Sequence, residues 1–325
     1  MPTDLKSRVI LLAACIVSFG AGYGITFLSG GNLSTGEREL RDTGHYAYIS
    51  PLLECSDTNI LLPQEVREAE QDVREIIERH KKGGNLSIAA VYFRDLNNGP
   101  WFGVNVDTLF VPGSLLKVPM MISYLKILEQ DPSLAEQEIL YEQKMSAAIQ
   151  NVAVADPLTL GERYSPDELL RRMITQSDNE SAYLLYSLLG DERVGEVYTE
   201  LGLGAPFTGQ DYNIRVRDYA TFFRILYNAT YLSPESSERA LELLVQTDFD
   251  KGIAAGIPAN IPVANKFGER NYVGTSETQL HDCGIVYAKE RPYSLCVMTR
   301  GTDIDALSNV IREISSTVYA RINSK

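Results

Sequence analysis

Apolar positions recur every three to four residues over 62–82, placing Val66, Ala69, Val73, Ile76 and Ile77 on one face. That spacing predicts a helix, and Lys81-Lys82-Gly83-Gly84 is a fitting stop. The pattern then becomes extended. Residues 86–94 form a dense apolar and aromatic run, Asn97-Asn98-Gly99 signals a turn, and 101–106 is a second extended run, so a hairpin is predicted. After Pro112-Gly113 a mostly apolar helix runs to about Glu129. Another helix opens at Ser165-Pro166-Asp167-Glu168, where Ser165 caps, Pro166 suits the first turn and Glu168 completes a capping box. It ends near Thr175, a break covers 176–179, and a further helix spans 180–189 up to Gly190. Helical spacing continues over 191–201, 214–229 and 234–246. Beyond residue 260 the runs 261–267, 279–287 and 293–299 read as strands, with Lys289-Glu290-Arg291-Pro292 turning between the last two. A closing helix over 304–322 carries Leu307, Val310, Ile311, Ile314 and Val318 on one face.

Helix, two strands, many helices, three strands, helix: this order predicts an α/β chain of the α+β type. Both ends share one antiparallel sheet flanked by helices, and the middle forms an all-helical lobe. The sheet and lobe together are expected to make one domain over 62–325. Residues 9–28 carry no charge and follow Lys6 and Arg8. Twenty such residues at helical rise span a bilayer core of about 30 Å. An N-terminal membrane anchor over 1–28 is therefore expected, with a cleaved signal segment as the alternative. Polar, Gly-rich residues lead a linker over 29–61. This predicts a single-pass protein at the cell membrane with its catalytic domain outside the cytoplasm.

Composition narrows the class. Thirty Lys plus Arg against 43 Asp plus Glu give a net charge of −13, which argues against nucleic acid as a partner. A hydrophobic content of 44% excludes disorder for the bulk of the chain. Four cysteines are too few for a disulfide-built scaffold. Cys283 and Cys296 lie symmetrically about the 289–290 turn, so they can face each other across two strands, either bonded or as free buried thiols. No phosphate loop, no His-Glu-x-x-His and no Gly-x-Ser-x-Gly elbow occurs, so no cofactor or metal is implied.

Three short motifs follow one another: Ser114-Leu115-Leu116-Lys117, Ser177-Asp178-Asn179 and Lys266-Phe267-Gly268. Each is weak alone, since a second Ser-x-x-Lys stands at Ser123–Lys126 inside an apolar helical run. Ser114 differs because it opens a helix, where free N–H groups and the macrodipole favour negative charge. Lys117 falls one turn later on the same face. A serine hydroxyl needs an adjacent base, and a lysine serves when burial and positive neighbours lower its pKa. Taken singly, Ser114 reads as a helix cap and Lys117 as a solvated charge; the ordered set favours the catalytic reading.

With these motifs in this order, the chain resembles the class A β-lactamases and the related penicillin-binding-protein-type serine hydrolases. The resemblance spans roughly 62–322. It implies Ser114 as the acylated nucleophile, Lys117 as a base and Ser177 as a proton relay to the leaving group. Asn179 would bind the substrate amide and Lys266, beside Gly268, the substrate carboxylate. The backbone N–H groups of Ser114 and Glu269 would form the oxyanion hole, and Asp178 would brace its loop. Two departures are visible. Phe267 replaces the hydroxyl residue of the third motif, and no glutamate occurs over 201–234, where class A enzymes carry the one that activates the deacylating water. Asp211 and Asp218 are the only carboxylates there, and Asp211 reads as a helix cap. The expected protein is therefore a serine acyl-hydrolase with slow deacylation, acting on cell-wall D,D-peptides or β-lactams. The alternatives are a true β-lactamase and a non-catalytic tethered binding protein on the same fold.

Overall fold

The computed structural model describes residues 36–41, 44, 46–58, 62–97, 99–144, 154–204, 206, 212–272 and 275–323. A five-stranded, fully antiparallel sheet organises them. In order across the sheet its strands are β4 (Trp101–Val104), β3 (Leu86–Asp95), β11 (Tyr293–Gly301), β10 (Thr278–Val286) and β9 (Val263–Asn271). The two N-terminal strands thus join the three C-terminal ones, as the element order predicts. Two-stranded pairs complete the set: β1 (Gly36–Arg41) with β2 (Leu52–Thr58), β5 (Leu109–Phe110) with β8 (Ile214–Arg215), and β6 (Ile139–Leu140) with β7 (Arg163–Tyr164).

Both sheet faces are covered, so β10 is buried at every position. On one face lie α1 (Gln64–Lys82) and α7 (Ile304–Asn323). Val66, Val73, Ile77, Val310, Ile314 and Val318, all fully buried, meet the sheet there. The other face carries the helical lobe: α2 (Lys117–Gln130), α3 (Pro166–Thr175), α4 (Asn179–Glu200), α5 (Val216–Tyr227) and α6 (Pro234–Val245). Gly190, at φ +75°, breaks α4 at the expected stop, and helical geometry then resumes. Ser165 caps α3 by accepting from the Glu168 N–H at 3.2 Å.

Three features differ from expectation. Strand β9 begins and ends later than 261–267 and carries the third motif in its middle. Within the stretch read as a linker, β1 and β2 pair, Arg41 donates to Ser50 O and Asn228 Oδ1, and the Ala47–Ile49 amides donate to Glu238. The membrane localisation requires correction. Among the described residues no helix is long and apolar enough to cross a membrane. The longest, α4, carries Glu180, Asp191, Glu192, Arg193, Glu196 and Glu200. The 9–28 run on which the anchor, the membrane partner and the single-pass reading rested lies outside the described residues.

The central turn of the sheet does what its symmetry suggests. Every β10–β11 pair is centred on the same point, so Cys283 faces Cys296, and the two are disulfide-bonded.

Candidate active site

The Ser114 turn is shaped by its neighbours. Gly113 takes φ +55°, in the left-handed region, and starts a 3-10 turn over Gly113–Leu116 that leads directly into α2. Pro119 falls in the first turn of α2, where its missing N–H leaves no helical bond unmade. Strand β9 presses against this turn backbone to backbone. A Cβ on Gly113 would lie 2.4 Å from Glu269 O and 3.2 Å from Glu269 N. One on Gly268 would lie 2.4 Å from Pro112 O and 2.9 Å from Leu115 N. Only glycine at both positions permits this approach, which sets the Glu269 backbone beside the start of α2.

Side chains hold the turn from beneath. His281 Nδ1 accepts from the Thr299 N–H at 3.2 Å, so its Nε2 carries the proton and donates to Val111 O at 3.0 Å. Gln279 Oε1 accepts from the Val111 N–H at 3.3 Å. From α5, the buried Tyr219 hydroxyl donates to Leu115 O at 2.9 Å. His281 is fully buried, and burial pushes its pKa down to about 4, which keeps the ring neutral.

Three motifs from distant parts of the chain converge on Lys117. Its Nζ lies 3.1 Å from Ser114 Oγ and 3.2 Å from Ser177 Oγ. It donates to Ser177 O at 2.5 Å and to Asn179 Oδ1 at 2.7 Å. Lys266, fully buried on β9, donates to Ser177 Oγ at 2.8 Å and to Phe267 O at 3.2 Å. Burial pushes the Lys117 pKa down to about 7, against the opposing pull of Asp178 and Glu269. Lys266 is driven well below the usual lysine range by burial and then by the Lys117 charge, with Asp282 and Glu269 opposing. Such an arrangement can supply a neutral amine beside a serine hydroxyl at the start of a helix.

Ser177 sits at φ +55°, uncommon for a residue with a Cβ, in the break between α3 and α4. Asp178 caps α4, accepting from the N–H groups of Glu180 at 3.1 Å and Ser181 at 3.2 Å. It thereby turns Ser177 and Asn179 toward Lys117, the bracing role expected of it. Phe267 is buried and stacks on Phe249 at 4.2 Å between ring centroids, with Lys266 Nζ 4.3 Å from the Phe267 centroid. Phe267 thus supplies a core contact and no hydrogen-bonding side chain next to Lys266. Behind the strand, Asp282 accepts from Asn265 Nδ2 at 2.9 Å and from the Ile253 N–H at 2.7 Å. Burial raises its pKa to about 6.

The structure therefore brings together Ser114, Lys117, Ser177, Asn179 and Lys266, with Gly268 and Glu269 on the strand beside them. Asp211 lies outside the described residues. Asp218 is paired with Arg215 at 3.4 Å and Arg217 at 3.8 Å rather than with this cluster. Gly113, Gln279, Tyr219 and the holding role of His281 escaped the sequence reading. Only the Pro-Gly step before Ser114 hinted at the first, and pairing across 168 residues or more hides Gln279 and His281.

A buried Lys–Ser–Lys cluster at a helix start, flanked by the strand of an α/β sheet, defines a serine hydrolase of the kind that acts on amide bonds. Residues 68–322 match the Beta-lactamase enzyme family, and the chain belongs to it. No curated protein sequence matches the chain. Among solved structures it is similar to PBP-A, at 22% identity and a TM-score of 0.65, covering 81% of this chain and 99% of that one. A variant of PBP-A described as an acyl-enzyme complex with penicillin G is similar at 23% identity and a TM-score of 0.65, covering 80% and 99%. A class A β-lactamase from Bacteroides cellulosilyticus shares the fold at 18% identity and a TM-score of 0.70, covering 81% and 100%.

Proposed function

We propose that the protein forms an acyl-enzyme on Ser114 from cell-wall D,D-peptides or β-lactams, and that it deacylates slowly. The observation carrying this reading is the hydrogen-bond arithmetic at Lys117. A neutral amine has two N–H donors and one lone pair. Ser177 O and Asn179 Oδ1 accept both donors, at 2.5 and 2.7 Å. The lone pair is left for the hydroxyls, with Ser114 Oγ at 3.1 Å. Ser114 Oγ then bonds to the substrate carbonyl carbon as its proton passes to Lys117 Nζ. The developing oxyanion is received by the N–H groups of Ser114 and Glu269. When the amide C–N bond breaks, the leaving nitrogen takes its proton from Ser177 Oγ, which is resupplied from Lys117. Asn179 binds the substrate amide. Lys266 provides N–H donors for a substrate carboxylate, without the help of a hydroxyl at Phe267.

Slow deacylation is supported by the lack of any glutamate over 201–234 and by the engagement of Asp218 with two arginines. The test is stopped-flow turnover of a chromogenic cephalosporin. A burst of about one equivalent followed by a slow steady state is expected. Fast turnover without a burst would instead identify an efficient β-lactamase with another water-activating group. Absence of both burst and turnover would favour a binding protein or a different acyl substrate.

A further inference from the structure

Asp282 is a fully buried carboxylate whose hydrogen bonds all come from neutral groups. Its Oδ1 accepts from Asn265 Nδ2 at 2.9 Å and its Oδ2 from the Ile253 N–H at 2.7 Å. Both donors are fixed from other elements. Thr247 Oγ1 donates to Asn265 O at 2.8 Å, and Ser315 Oγ of α7 donates to Ile253 O at 2.8 Å. A Cβ on Gly252 would collide with Asp282 Oδ2, so only glycine lets the 252–253 backbone close on the carboxylate. Burying a carboxylate this completely is unfavourable unless an opposite charge compensates it. Among the described residues the one cation whose charge acts on Asp282 is Lys266, and the two groups favour each other's charged forms. The strand register accounts for the coupling. Asp282 stands opposite Phe267, next in sequence to Lys266, and Lys266 Nζ bends to donate to Phe267 O at 3.2 Å.

We propose that Asp282 is a positioning residue for acylation, the buried counter-charge that lets Lys266 take the ammonium form when a substrate carboxylate docks. The inference rests on the acyl-enzyme reading of Ser114. Lys266 then takes a proton from solvent, and its three N–H donors serve the anion. The substrate carboxylate and Asp282, with Glu269 adding to the pull, offset burial and the Lys117 charge. In the experiment, wild type, Asp282→Asn and Asn265→Ala are acylated by penicillin G and by its methyl ester, which lacks the carboxylate. The pH is 8, above the Asp282 pKa of about 6. Second-order acylation constants are read by intact mass, after circular dichroism confirms each fold. Asp282→Asn should lower the constant for penicillin G about tenfold and that for the ester less than about twofold. Asn265→Ala keeps the carboxylate but removes a donor that favours its charge. It should show the same selectivity in smaller measure, and it decides the matter if Asp282→Asn does not fold. Equal losses for the two compounds would mean that Asp282 only supports the fold, and unchanged constants that it does not act on Lys266. Either result overturns this inference alone. No adduct on the wild type with either compound overturns the Ser114 reading and this inference with it.

Discussion

Lys117 and Lys266 share one hydroxyl: their Nζ atoms lie 3.2 and 2.8 Å from Ser177 Oγ. Burial lowers the pKa of both amines, and the Lys117 charge lowers that of Lys266 further. The acylation rate is therefore expected to rise with pH through a midpoint of about 7 as Lys117 loses its proton. Lys117→Ala should lower that rate by about 10²- to 10⁴-fold. The linked stability effect has a fixed sign. Between about pH 7 and 10.5 the unfolded lysine binds more protons than the folded one, so Lys117 makes stability rise with pH across that window. Single-turnover acylation from pH 5.5 to 9 checks the midpoint.

Gly268→Ala should damage the site and the fold together. Its Cβ would meet Pro112 O at 2.4 Å, and neither the strand nor the turn can retreat without moving Ser114. A loss of about 1–3 kcal/mol in urea unfolding is expected, with slower acylation. Gly204→Ala is the control, since a Cβ there meets nothing within 4 Å. It should change stability by no more than about 0.5 kcal/mol.

His281→Gln should change how stability depends on pH. The folded His281 titrates near 4 and an unfolded histidine near 6.5, so the unfolded state binds more protons between them. His281 therefore adds stability as pH rises through that window, up to about 3 kcal/mol. Asp282, raised to about 6 from 3.8, runs in the opposite direction but is present in both proteins. The wild-type minus variant difference in urea-unfolding free energy should thus grow between pH 4 and 6.5. A difference that stays level would mean that His281 is not held neutral.

Much of this was legible because the signals are local. Helical spacing located Val66, Val73 and Ile77, the 289–290 turn set Cys283 opposite Cys296, and the Ser165 cap could be read from four residues. The grouping of Ser114, Lys117, Ser177, Asn179 and Lys266 came from motif order, which carries a resemblance rather than a distance. What escaped depends on contacts far apart in sequence. Gly113 is a glycine because Glu269 lies against it, and His281 matters because Val111 does. The β1–β2 pairing hides in a polar stretch, and Glu238 holds the segment between its strands from another lobe. The membrane reading rested on the length and lack of charge of the 9–28 run, which lies outside the described residues.

Intact-mass spectrometry after exposure to penicillin G tests the acyl-enzyme claim most directly, with Ser114→Ala alongside. A single covalent adduct on the wild type, persisting for minutes and absent from the variant, is the expected result. An adduct of equal yield on Ser114→Ala, or none on the wild type while the drug is left intact, would contradict it.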